Sequence, residues 1–240
     1  MKKLTIALLT LLPFAGYSTV KDSTSVSDTT KIKKLEIGVS FSPDYCFRSL
    51  KADGENQWIS DSRDTSETGK FGYTVGADLA FKLNKHFNLQ TGILFSDSGE
   101  RTKKTSTEDV PYGQQATEYS YNNHHYYLNV PVRVDYKILS GKLKVYVMAG
   151  VSANFFLGQK ITTISTHANS NDRTSVTGNP GFSTFNLAMI AGCGIKYPLS
   201  KKANIKIEPV YRRSLTPIMD APVKSYLYSA GINFGIFYEL

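Results

Sequence analysis

The sequence predicts an all-β chain, an eight-stranded antiparallel up-and-down barrel. Three observations predict it. From Leu35 onward, apolar and polar residues alternate with period two in eight segments. The connections between those segments alternate between long and short. Aromatic residues recur at both ends of the apolar face, and glycines gather on the other face.

The chain opens with Lys2 and Lys3, then a short apolar run from Leu4 to Leu12, then small residues near Ala15, Gly16 and Ser18. That order reads as a secretory signal over residues 1–18, too short to cross a bilayer as a helix. Residues 19–33 (TVKDSTSVSDTTKIK) are polar and read as a flexible linker. Residues 34–240 are left for the barrel. No later run approaches the length of a transmembrane helix, and mean hydropathy is −0.24.

The eight segments follow in order. The apolar face of the first is Leu35, Ile37, Val39, Phe41, and of the second Phe71 through Phe81. The third has Phe87, Leu89, Thr91, Ile93, Phe95, and the fourth Tyr126 through Tyr136. The fifth runs from Leu143 to Phe155 and the sixth from Phe185 to Tyr197. The seventh runs from Ala203 to Tyr211 and the eighth from Tyr226 to Tyr238. Long connections are expected at 48–70, 97–124, 158–182 and 214–225, and short ones at 83–86, 138–142 and 198–202. Long outer loops and short periplasmic turns are the pattern of outer-membrane barrels, and an even strand number puts both termini in the periplasm.

Alternation alone does not say which face meets water. Here the aromatics decide. Phe71 and Phe81, Tyr126 and Tyr136, and Tyr228 and Tyr238 stand in pairs ten residues apart, and Phe87 with Phe95 and Phe185 with Tyr197 do similar service. Ten residues at a rise of ~3.3 Å, tilted ~40°, span about 25 Å along a barrel axis, the height of a lipid-facing band. Aliphatic residues are expected between the two girdles. Gly38, Gly72, Gly76, Gly92, Gly150, Gly192, Gly194, Gly231 and Gly235 fall on the polar face, where a narrow interior needs small side chains. The fold class is therefore a transmembrane barrel, whose closure satisfies every backbone hydrogen bond in lipid.

The segment YYLNVPVRVDYK at 126–137 resembles the tyr-leu-x-ile-pro segment of the outer-membrane β-barrel family called PorT-like. The segments at 146–158, 188–218 and 231–240 are similar to that family in order and spacing. The resemblance implies an integral outer-membrane protein, and in some members a role in secretion or envelope assembly. Such barrels usually end in an aromatic residue; this chain ends in Leu240, after Phe237 and Tyr238.

The formal net charge is +8, and those eight less the two leader lysines leave +6. The basic residues are scattered and form no nucleic-acid motif, so no nucleic-acid partner is expected. Outer-membrane lipid and lipopolysaccharide are the expected surroundings, with other envelope proteins as further partners. Ten ionisable residues are expected in the lumen: Asp78, Lys82, Arg133, Asp135, Lys137, Lys144, Lys196, Lys206, Glu208 and Arg212. Asp78, Arg133, Asp135, Glu208 and Arg212 are expected to form its polar network, with Arg133 and Glu208 as the central pair. The structural reading is a salt-bridged plug; the functional one is a small gated pore.

His124 and His125 are adjacent on a strand and so face opposite sides, which argues against a shared metal. With Ser120 and Asp97 they are rim candidates for lipid-modifying catalysis, but in no recognised spacing. No cofactor, metal or catalytic set is expected. Cys46 and Cys193 are expected on opposite faces and unbonded. Trp58, Tyr112, Tyr119 and Tyr121 sit in long connections suited to contact with a partner. The first expectation for function is a structural or interaction role in the envelope, such as an accessory part in secretion or surface assembly; a small channel and a lipid-modifying enzyme are the alternatives.

Overall fold

The computed structural model describes residues 35–52, 54–106, 118–167, 170–178, 181–219 and 221–240. The expected leader and linker, and Tyr112, lie outside the described residues. Eight long strands carry the fold: β1 Leu35–Ala52, β2 Lys70–Lys82, β3 Phe87–Ser98, β4 Glu118–Leu139, β5 Lys144–Thr166, β6 Phe185–Pro198, β7 Ala203–Ser214 and β8 Val223–Glu239. Each pairs antiparallel with its neighbours in sequence. β1 also pairs with β8, from Glu36 opposite Glu239 to Ala52 opposite Val223, which closes the ring. Closure removes the sheet edges that lipid would otherwise leave unsatisfied.

One end of the barrel, the lower end here, carries the short turns and both termini of the ring. The Leu240 amide donates to the Leu35 carbonyl at 3.0 Å. The turn before β3 is held by Asn84, whose side-chain oxygen accepts from the His86 and Phe87 amides at 2.8 and 2.9 Å. The turn before β7 uses Ser200 in the same way toward Ala203, at 3.0 Å.

The upper end departs from the expected long loops. β1 continues to Ala52, β4 begins at Glu118, and β5 runs to Thr166 and pairs with a further strand, Asn171–Gly178. The segments 48–52, 118–124 and 158–166 are therefore strand. Above the lipid band both faces of a sheet meet polar surroundings, so the ladder continues while the period-two signal fades. The first connection also holds a helix, Gln57–Ser66, with Trp58 exposed on it. Short strands Glu67–Thr68, Arg101–Thr102 and Thr105–Ser106 complete the upper end.

The outward face is the apolar one. Val39, Phe71, Ile93, Val132, Tyr136, Phe185 and Tyr238 are all exposed. Phe81, Phe95, Tyr126 and Tyr228 are half-buried by their neighbours. Phe41, Tyr73, Phe95 and Tyr126 follow one another at centroid distances of 6.3, 6.2 and 5.9 Å. At the lower end Phe87 lies 5.1 Å from Tyr136, and Lys202 caps Tyr238 at 5.5 Å. The middle of the band is not purely aliphatic: Phe41 and Phe234 are register partners there, both exposed.

The interior also differs from the expectation of small polar side chains alone. Phe237 is fully buried and points inward, and a Cβ at Gly38 or Gly235 would stand 2.6 or 2.7 Å from its ring. Gly194 leaves the same kind of room for Tyr146. These glycines make space for large rings rather than merely fitting a narrow lumen. Met148, Ile190 and Val210 form a buried apolar trio beside them.

Candidate functional site

The strand register fixes which inward residues can meet, and the inward side of β1 orders them from bottom to top. At the lower mouth Glu36 pairs with Lys196, one of its oxygens at 2.6 Å. Higher up, the Ser40 hydroxyl donates to Asp78 at 2.5 Å. Asp44 then accepts from Ser42 and Thr74, both at 2.6 Å, and from Arg212 at 2.9 Å. At the top, Arg48 forms a two-pronged pair with Glu67 and lies 3.3 Å from Glu100.

The middle level carries the densest network. Arg133 Nη2 donates to Glu208 at 2.6 Å and to the Gln90 side-chain oxygen at 2.8 Å. Tyr146 and Asn233 donate to the same Glu208 carboxylate, at 2.5 and 2.7 Å. Lys206 donates to Gln90 at 2.8 Å and sits 3.9 Å from the centroid of Phe237. The Gln90 amide donates in turn to Asp78 at 3.0 Å. Asp135 lies 3.5 Å from Arg133 and 3.9 Å from Lys206. A buried charge is tolerated only when paired and hydrogen-bonded in this way.

Of the five residues expected in the polar network, four meet directly or through Gln90: Asp78, Arg133, Asp135 and Glu208. Arg212 does not join them and belongs to Asp44 instead. Gln90, Asp44, Tyr146 and Asn233 escaped the sequence reading, because cross-lumen distance depends on register that sequence does not display. Lys82, Lys137 and Lys144 line a cavity of about 150 Å³ at the lower mouth.

Above the Arg133–Glu208 level the lumen turns partly apolar, beside the Arg48, Glu100 and His125 group at the top. Tyr127, Ile218 and Leu227 form a buried cluster, with Phe156, Phe182 and Met219 packed on it. Residues 182–183 and 218–219 are drawn inward by a Phe182–Met219 bridge and by the Ser183 amide on the Ile218 carbonyl at 2.9 Å. Phe156 and Phe182 stack at 4.6 Å. Below this plug lies a cavity of about 60 Å³, lined among others by Asn129, Ser152 and Asn186. That volume accommodates a few waters.

The two histidines meet different partners. His125 is fully buried, with Nε2 3.1 Å from Glu100 and its ring 5.0 Å from Phe182. Burial pushes the Glu100 carboxyl up, but the His125 contact, the Arg48 charge and the Asn123 amide outweigh it and bring the carboxyl down to about 2. His124 lies on the outward side, its Nδ1 2.8 Å from Asp97 and 2.7 Å from Lys70 Nζ. Lys70 donates to Asp97 at 2.7 Å.

The Asp97–His124 contact has the form of an acid–imidazole pair, but Lys70 engages both members. Ser120 stands four residues up the same strand, about 13 Å away, beyond hydrogen-bond reach of His124. Among the described residues no group of three or more His, Cys, Asp or Glu is placed to hold a metal ion. Cys46 is buried in the lumen and Cys193 is exposed on the outward face, both as free thiols.

No curated protein matches the chain. Among solved structures it is similar to the neisserial surface protein A NspA, at 10% identity and TM-score 0.48, covering 86% of this chain and 97% of that one. It is similar to OprG of Pseudomonas aeruginosa, at 14% identity and TM-score 0.46, covering 87% and 96%. It is also similar to the outer-membrane protease OmpT of Escherichia coli, at 8% identity and TM-score 0.45, covering 90% and 99%. The family model described as outer membrane protein beta-barrel domain matches residues 25–220. The chain thus belongs to the outer membrane protein beta-barrel domain family, as an integral β-barrel of the bacterial outer membrane.

Proposed function

We propose that the protein is a closed, non-enzymatic barrel that holds a rigid β-surface above the outer leaflet for contact with another envelope component. The observation that carries this reading is the length of β4 and β5. They run 22 and 23 residues, about twice what a lipid-spanning strand needs. The excess stands above the girdle as paired sheet and is extended by Asn171–Gly178, exposed throughout. Among the described residues that strand pairs on one side only, which leaves a row of backbone donors and acceptors for an added strand. In this reading the short-turn end and both termini face the periplasm, and an accessory role in secretion or surface assembly uses the upper sheet.

The filled lumen favours a structural barrel over a pore. The charged network and the apolar plug lie in series, so neither alone would have to hold back ions. The separation of Ser120 from His124 favours a non-catalytic rim.

The test is photo-crosslinking in native outer membranes from position Val176, which is exposed on the outermost strand. A discrete adduct with an envelope protein supports the contact role; a clean membrane with no adduct from any position along 171–178 rejects it. Steady single-channel conductance in planar bilayers would reject the closed barrel.

A further inference from the structure

The strand β5 changes face partway up. Between Tyr126 and Tyr127 of β4, its register with β5 slips from Gly158 to Phe156, leaving Leu157 as an extra residue. Below the slip the outward residues of β5 are odd-numbered: Val147, Val151 and Phe155 are exposed to the lipid side. Above it, Lys160 lies opposite His124, and Thr162 opposite Asn122. His124 and Asn122 share the outward face of β4 with Tyr126 and Leu128. The bulge therefore brings Lys160 onto the face that continues directly upward from the lipid band.

On that face an open recess of about 510 Å³ is lined by Arg101, His124, Lys160 and Arg173, with Asn122 and Thr162 between them. Among the described residues, none that lines it is acidic. Arg101 and Arg173 are exposed and Lys160 is half-buried. Among the described residues, the carboxylate that touches these basic groups is Asp97, behind His124, and it is shared with Lys70. Arg173 lies opposite Ile164, itself opposite Ser120, six residues above Tyr126. The recess thus starts at the girdle and rises about 15 Å above it, allowing for strand tilt.

We propose that this recess binds the phosphorylated sugar headgroup of a lipopolysaccharide molecule in the outer leaflet. The fit is one of charge and of height. Arginine forks suit phosphate oxygens bidentately, Asn122 and Thr162 suit sugar hydroxyls, and a basic group at a lipid surface attracts anionic headgroups. Acyl chains of the same molecule would lie along Tyr126, Leu128 and Phe155 below. The proposal rests on the orientation given above, with the upper end outside.

Native mass spectrometry of the detergent-solubilised full chain with diphosphoryl lipid A tests it. The expected result is one retained lipid A, with dephosphorylated lipid A held at least about tenfold more weakly. Combining Arg101→Ala, Lys160→Ala and Arg173→Ala should weaken retention by a similar factor or more. Lys85→Ala with Lys201→Ala, at the lower end, should leave it unchanged. Equal retention of both lipids, or a triple variant that binds like the parent, overturns the proposal. Competition by inorganic phosphate at the same concentration as lipid A would assign the recess to a free anion and overturn it as well.

Orientation is read separately. A Val176→Cys variant in a Cys193→Ala background should react with a membrane-impermeant maleimide on intact cells. Failure there with lipid A binding intact would reject the orientation and not the recess chemistry.

Discussion

The Arg133 guanidinium on β4 donates to the Glu208 carboxylate on β7 at 2.6 Å, across the lumen between strands that do not neighbour each other. Both groups are buried, and each satisfies partners that the other leaves over. The pair is a tie between opposite walls, and its energetics differ from those of a surface ion pair.

Removing one partner leaves the other charged and buried. Glu208→Ala is expected to destabilise the barrel by about 3–5 kcal/mol. The double variant Arg133→Met with Glu208→Leu should lose less than the sum of the single changes, by roughly 1–3 kcal/mol. Urea unfolding in lipid vesicles, followed by gel mobility, reads both. Additive losses would mean that the two side chains do not act as a unit.

Conductance should stay absent even when that tie is cut. The plug of Tyr127, Phe156, Phe182 and Ile218 lies above the charged level and does not depend on it. Planar-bilayer recordings of Arg133→Ala are expected to be silent. Open events should emerge only when Phe182→Ala and Ile218→Ala are added.

The top of the lumen should respond to acid. Glu100 is held at about 2, below its ordinary 4.5, so its contribution to stability is complete above about pH 4.5. It is lost as pH falls through about 2. The shift corresponds to roughly 3 kcal/mol. Glu100→Gln should remove that part of the acid sensitivity, measured as the unfolding midpoint between pH 5 and 2. An unchanged acid profile would show that the His125 and Arg48 contacts do not stabilise the charged carboxylate.

Gly38 tests the packing around Phe237. Gly38→Ala places a methyl 2.6 Å from the ring and is expected to cost about 1–3 kcal/mol. Adding Phe237→Leu should recover part of the loss in the same unfolding assay. No recovery would point to the nearby Ile236 carbonyl, at 2.8 Å, as the obstacle instead.

The strand count and the lipid-facing side were legible because lipid imposes period two on one face of every strand. Phe71, Phe87 and Tyr136 announce that face by spacing alone. The upper strands were not legible, because YSYNNHH and QKITTIST lie where both faces meet polar surroundings. Arg133 and Glu208 could be singled out as inward charges, but Asp44 as the partner of Arg212 could not. That contact joins β1 to β7, and nothing local marks it. The packing of the inward Tyr146 and Phe237 was obscured for another reason. An aromatic on the polar face looks like an exception until the glycines beside it are seen as its space. His124 and Asp97 were both recognised as rim residues, while Lys70, which joins them, sat inside an expected loop.

Leu157 gives the barrel a phase boundary. A scan that placed one charged residue at each position of β5 in turn should record alternating tolerance up the strand. At Leu157 the beat should skip once and resume out of step, so that even positions take over the outward role from odd ones. The same strand carries one instruction for lipid and another for whatever lies above it, and a single uncounted residue separates the two.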